Sequence, residues 1–148
     1  YRMSNIVAGI GRGQLEVLDE RVKQRRAIFD RYYTAFGSLP GVEFQSEIED
    51  TMSNRWLTAL TIDPTQTGVT RTEIIERLAK DNIEARPVWK PMHLQPLFKG
   101  AAYYSHTDGD SVSDYLFKYG LCLPSGSNMT EDQQERVINC IKELINNK

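Results

Sequence analysis

Between residues 4 and 36, apolar side chains recur three and four positions apart, the period of one buried helix face. Ile6, Val7 and Ile10 make one register; Leu15, Leu18, Val22, Phe29, Tyr32, Tyr33 and Phe36 make a second. Gly9, Gly11 and Gly13 separate the two, and an interior glycine costs a helix about 1 kcal/mol relative to alanine. The pattern predicts two helices with a break near residues 11–13, the first capped by the Ser4 hydroxyl. After a turn at Leu39, Pro40 and Gly41 the period falls to two. Val42 to Phe44 reads as a short strand, and residues 56–62 read as a longer one covered on both faces, ending at Asp63 and Pro64.

Helical spacing then returns twice. Thr70 and Glu73 form a capping box that opens a helix with Ile74, Ile75, Leu78 and Ala79 inward. Thr130 and Gln133 form another, with two acids in the first turn, and open a last helix burying Val137, Ile138, Ile141, Leu144 and Ile145. Between them, Pro87 biases Arg86 toward extended backbone, and Pro91 and Pro96 stiffen an irregular loop over residues 89–98. Ser111 is placed to cap a short helix carrying Tyr115, Leu116 and Tyr119, which Gly120 stops before a buried strand over residues 121–124. Two helices followed by β-β-α-β-loop-α-β-α predict an α+β sandwich, a small sheet with helices on one side.

Composition narrows the class. The chain has 148 residues, one domain's length, with 40% apolar residues, 18 Lys plus Arg and 20 Asp plus Glu, for a formal charge of −2. The even balance speaks against nucleic acid as a partner. No apolar run approaches the ~18 residues of a membrane span, and no basic-then-apolar leader opens the sequence. Cys122 and Cys140 are too few for a disulfide framework or a zinc site. The expected setting is a reducing cytoplasm.

Chemistry concentrates in one segment. Arg86, Trp89, Lys90 and His93 put two cations, an indole and an imidazole within eight residues of a proline-stiffened loop. Arg86 offers a planar fork for phosphate or carboxylate, Lys90 a point charge, and His93 a hydrogen bond or a proton near neutral pH. A solvated loop with Trp89 against the core explains the same residues equally well. Tyr1 and Arg2 precede a helix start, where aligned amides favour an anion. Gly9 to Gly13 lacks the spacing and the preceding strand of a dinucleotide loop. His106, Asp108 and Asp110 lack metal-ligand spacing, and a solvated turn is expected there. Glu47, Glu49 and Asp50 read as an acidic surface loop, the charges over residues 16–26 as a solvated helix face, and Cys122 as an inert thiol.

Three ordered motifs give a resemblance. They are Tyr1-Arg2-Met3-Ser4-Asn5 with Gln14, Leu15, Leu18 and Asp19; Arg86-Pro87-Val88-Trp89-Lys90-Pro91-Met92-His93 with Gln95, Pro96 and Phe98; and Gly120-Leu121-Cys122-Leu123-Pro124-Ser125 with Met129, Thr130 and Glu131. Together they resemble the PLP-dependent nucleotide-sugar aminotransferases of the DegT family, most closely the branch that aminates 4-keto sugars on UDP. The resemblance implies fold type I and, for this chain, its small C-terminal α+β domain: a mostly antiparallel sheet over residues 38–148, preceded by linking helices over residues 1–37. It implies pyridoxal 5'-phosphate as cofactor, a nucleotide-linked keto sugar as substrate, glutamate as amino donor, a homodimer, and a role in surface-glycan biosynthesis. It places Tyr1 and Arg2 near the cofactor phosphate, Arg2 also near the sugar nucleotide, and Arg86, Trp89, Lys90 and His93 on the substrate wall. The lysine that holds PLP belongs upstream of Tyr1, so this chain alone is expected to be inactive and to carry no catalytic residue of its own. A non-catalytic sensor or regulatory relative of the same fold, and an independent small-ligand-binding module, are the alternative readings.

Overall fold

A computed structural model describes residues 2–105 and 111–147. Tyr1 and the segment containing His106, Asp108 and Asp110 lie outside the described residues.

The leading helices are α1, Asn5–Leu15, and α2, Leu18–Phe36. Ser4 caps α1 by accepting from the Val7 amide at 3.3 Å. The break falls at Glu16 and Val17, later than the glycines suggested. A Cβ on Gly9, Gly11 or Gly13 would meet nothing, so these glycines neither kink the helix nor admit a close neighbour within this chain. Of the expected second register, Phe29, Tyr32 and Phe36 are covered, joined by Ile28, which the reading left out, whereas Leu15, Leu18 and Tyr33 are exposed. The reason is position, because among the described residues no layer packs against the apolar side of α1 and the start of α2.

The sheet contains β1, Val42–Phe44; β2, Thr58–Ile62; β3, Arg86–Pro87; and β4, Gly120–Leu123. Its order is β1-β2-β4-β3, with each neighbour antiparallel. Pairing β2 with β4 sets Leu60 opposite Leu121 and Ala59 opposite Cys122. Leu60, Ile62, Leu121 and Leu123 share one cluster with Tyr32 and Phe36 of α2, with Ile74 and Leu78 of α4 (Arg71–Lys80), and with Val137, Ile138 and Ile141 of α6 (Glu131–Asn146). This is the core, and α2, α4 and α6 form its helical layer. Both capping boxes are present, at Thr70–Glu73 and Thr130–Gln133. Ile74 and Leu78 turn inward as expected, but Ala79 is exposed, one position past the inward stripe of α4.

Three local details complete the fold. Past the end of the strand, which the sequence placed at Asp63 and Pro64, lies a short helix, α3 (Pro64–Thr67), because the Asp63 side chain accepts from the Thr65 amide at 2.9 Å and Gly68 closes the turn at φ 71°. Strand β2 starts at Thr58, so Trp56 and Leu57 precede it. Helix α5, Val112–Tyr119, is capped by Ser111 and stopped at Gly120 as expected, and it buries no residue.

The layer arrangement predicts a contrast. Leu78→Ala should lower unfolding free energy by about 2–5 kcal/mol, and Ile10→Ala should move it by less than about 0.5 kcal/mol, in urea titrations of the two variants. An equal loss at Ile10 would mean that α1 has a partner surface within this chain.

Candidate functional site

Residues 56–57, 84–89 and 122–125 meet at one end of the sheet. The β2–β4 register brings the start of β2 beside the end of β4, and β3 pairs Arg86 with Cys122. Between them opens a groove of about 380 Å³ lined by Trp56, Glu84, Arg86, Trp89, Cys122 and Ser125, among others. Trp56 and Trp89 are 59% and 68% exposed, with ring centroids 6.0 Å apart and planes tilted by 35°. The Arg86 guanidinium pairs with Glu84 at 2.5 Å, both side chains being open to solvent.

Ser125 holds the groove wall rather than acting as a nucleophile. Its hydroxyl donates to the Leu123 carbonyl and accepts from the Thr58 amide, each at 2.9 Å. The Cys122 thiol is buried, and burial pushes its pKa above the ordinary value, as expected of an inert core thiol.

Beneath Trp56 lies a charged network that the sequence pattern missed. Arg55 is 8% exposed, and its backbone adopts φ 48°, a conformation that is costly for a residue other than glycine. Its guanidinium lies 3.8 Å from the Phe29 ring centroid, donates to the Gln45 carbonyl at 2.9 Å and reaches Glu47 at 3.3 Å. Glu47 also takes a two-pronged bond from Arg26, at 2.9 and 3.2 Å, and the Ser53 amide. The Glu47 carboxyl is held down to about 2, chiefly by the Arg26 and Ser53 hydrogen bonds. Arg25 donates to the carbonyls of Trp56 at 2.5 Å and Ser125 at 3.1 Å, tying the two groove walls together. So Glu47 is not a solvated surface acid, and Arg25 and Arg26 are not merely part of a solvated helix face.

His93 stands in a second cluster. Two 3₁₀ turns, Met92–Leu94 and Pro96–Phe98, carry the loop that contains it. Its Nε2–H donates to the Asp114 carboxylate at 2.7 Å, its ring stacks on Tyr103 at 3.7 Å, and the side chain is 17% exposed. A carboxylate can only accept, so Nε2 is the donor of this bond. Tyr103 Oη bonds Ser111 Oγ at 2.6 Å, fastening the same loop to the start of α5.

The sequence candidates are thus divided. Arg86 and Trp89 line the groove, His93 is held at Asp114, Lys90 is exposed on the connecting loop, Arg2 is exposed ahead of α1, and Tyr1 is outside the described residues. Trp56, Asp114, Tyr103 and the Arg26–Glu47–Arg55 network were not foreseen. Among the described residues no cluster of metal-ligating side chains occurs, and no helix is long and apolar enough to cross a membrane.

Comparison with known proteins decides the family. Residues 1–142 match the DegT/DnrJ/EryC1/StrS aminotransferase family. The chain belongs to that family. It is 59% identical to EpsN of Bacillus subtilis strain 168, named as a pyridoxal phosphate-dependent aminotransferase, over 98% of this chain and 37% of EpsN. It is 31% identical to a GDP-perosamine synthase of Vibrio cholerae, over 99% of this chain and 38% of that protein. The chain therefore spans a little over a third of the curated relatives it matches. Among solved structures, DesV of S. venezuelae in complex with a ketimine intermediate superposes with a TM-score of 0.83 at 24% identity, over 97% of this chain and 37% of DesV. The observed fold is accordingly that of the matching third of the fold type I sugar aminotransferases of the family.

The charged network makes a pH prediction. Because Glu47 titrates lower in the folded chain than its ordinary 4.5, its stabilisation is complete above that value and is lost as pH falls toward about 2. Glu47→Gln should destabilise the chain at neutral pH and flatten the acid limb of a plot of thermal midpoint against pH. An unchanged acid limb would remove Glu47 from the network.

Proposed function

We propose that this chain is the C-terminal part of an enzyme that transfers an amino group, with glutamate as donor, to a keto group on a nucleotide-linked sugar for surface-polysaccharide synthesis. The observation that carries this reading is the 59% identity to EpsN across 98% of the chain. Relatives named as GDP-perosamine synthase and as a spore coat polysaccharide biosynthesis protein support the sugar substrate. The groove supports it chemically: a guanidinium suits a diphosphate, and exposed indoles suit a sugar ring.

Pyridoxal phosphate supplies the electron sink of such a transfer. The residues present here do not make its seat, since no lysine lines the groove. In our reading the lysine that holds it lies in polypeptide preceding this chain, in a large domain that the helices over residues 1–37 join to the small domain over residues 38–148. This chain supplies the substrate wall. Arg2, standing in solvent ahead of α1, and Tyr1 reach toward the cofactor phosphate in the neighbouring subunit of a cytoplasmic homodimer, Arg2 also meeting the sugar nucleotide. Arg86 and Lys90 neutralise the diphosphate. His93, its Nε2–H committed to Asp114, turns Nδ1 to a substrate hydroxyl.

The test is made on a longer protein carrying this sequence. It should take up PLP, seen by its visible absorbance, and aminate a UDP-4-keto sugar, whereas the 148-residue chain alone does neither. Loss of PLP uptake in the longer protein would remove the reading. His93→Ala in that protein should raise KM for the sugar nucleotide roughly tenfold, the worth of one hydrogen bond to a polar substrate, with the glutamate half-reaction unchanged.

A further inference from the structure

At residues 55 and 56 the usual polarity is reversed. The arginine is buried and the tryptophan is exposed. Burying a guanidinium is costly unless it is paired, and here the Arg55 Nε has no partner among the described residues. The Arg55 backbone is also in the left-handed region. Both costs are met by the same fixtures: Glu47, the Gln45 carbonyl and the Phe29 ring on one side, and Arg25 on the Trp56 carbonyl on the other. Packing alone would favour the opposite arrangement, with the indole inside and the guanidinium in water. What the observed arrangement achieves is an indole held by its backbone at the mouth of the groove, against Trp89.

We propose that Trp56 and Trp89 form a platform for the pyranose ring of the substrate, with Glu84 as the group that meets its hydroxyls and Arg86 beside it toward the diphosphate. This rests on the sugar-nucleotide reading above and adds Trp56 as a substrate-contacting residue. Two tilted indoles give an apolar face for the C–H side of a chair. The adjacent Glu84 carboxylate, open to solvent, gives an acceptor for sugar hydroxyls at the rim, and the Arg86 guanidinium paired with it gives the charge next to the platform. The Ser125 hydroxyl offers the groove nothing further, since it is already bonded to Leu123 and Thr58.

Saturation-transfer NMR on the full chain, with UDP-N-acetylglucosamine, UDP and the methyl glycoside of N-acetylglucosamine as separate probes, reads which ligand protons touch the protein. Transfer is expected to the pyranose protons of the sugar nucleotide and the glycoside, and not to the uracil protons of UDP. Trp56→Leu should weaken pyranose transfer about tenfold, Trp56→Phe should keep much of it, and Glu84→Gln should weaken it with both indoles in place. Absence of pyranose transfer, transfer confined to uracil and ribose, or transfer unchanged in Trp56→Leu would overturn the platform. Since Trp56 is exposed, a two-dimensional amide spectrum of the variant should remain that of a folded chain. PLP uptake by the longer protein is scored separately: pyranose transfer without PLP uptake keeps the platform and removes the aminotransferase reading, and PLP uptake without pyranose transfer does the reverse.

Discussion

The antiparallel pairing of β2 with β4 carries the rest of the structure. Its register sends Leu60, Ile62, Leu121 and Leu123 to one face, where α2, α4 and α6 close over them. The same register lays the chain before Thr58 beside the chain after Leu123, and Ser125 locks the two by bonding across them. A sheet read with period two has no freedom here, because a slip of one residue would turn those four apolar side chains out of the core. The groove is therefore a consequence of the core's register. Its walls are the two ends of a strand pair that burial has already fixed, with β3 added at the edge.

On that frame, charge does what packing cannot. The 45–57 segment has little apolar material to hold it, with Ile48 and Met52 both exposed. It is held instead by Glu47, which gathers Arg26, Arg55 and the Ser53 amide, and by Arg25 across the two walls. Partly desolvated multidentate pairs of this kind fix geometry more than they add stability. The histidine loop is treated in the same way, with Asp114 and Tyr103 taking the place of a hydrophobic anchor. Both segments are thus set by polar contacts to the sheet and helices, which suits a site whose polar and aromatic groups must remain open.

Much of this frame was legible in the sequence. Capping boxes at Thr70 and Thr130, the Ser4 cap and the stop at Gly120 are local signals, and each reads out where it stands. The helix-strand order follows from them, and three spaced motifs identified the family. The periodic reading failed where a tertiary partner decides. Leu15 and Leu18 have the spacing of a buried face but no layer of the described residues above them. Trp56 has the period of β2, and only the backbone turn at Arg55 removes it from the strand, a turn made possible by Glu47 eight residues earlier and Arg26 far from it in sequence. Asp114 lies 21 residues from His93, so no local pattern could join them.

The central claim is that the groove between these walls faces the substrate in a site completed by other polypeptide. A crystal structure of the longer protein with a nucleotide sugar bound measures it most directly. The account predicts the sugar against Trp56 and Trp89, its diphosphate on the Arg86 side, and His93 turned toward it. A sugar nucleotide bound elsewhere, with this groove open to solvent or filled by another part of the protein, would contradict it.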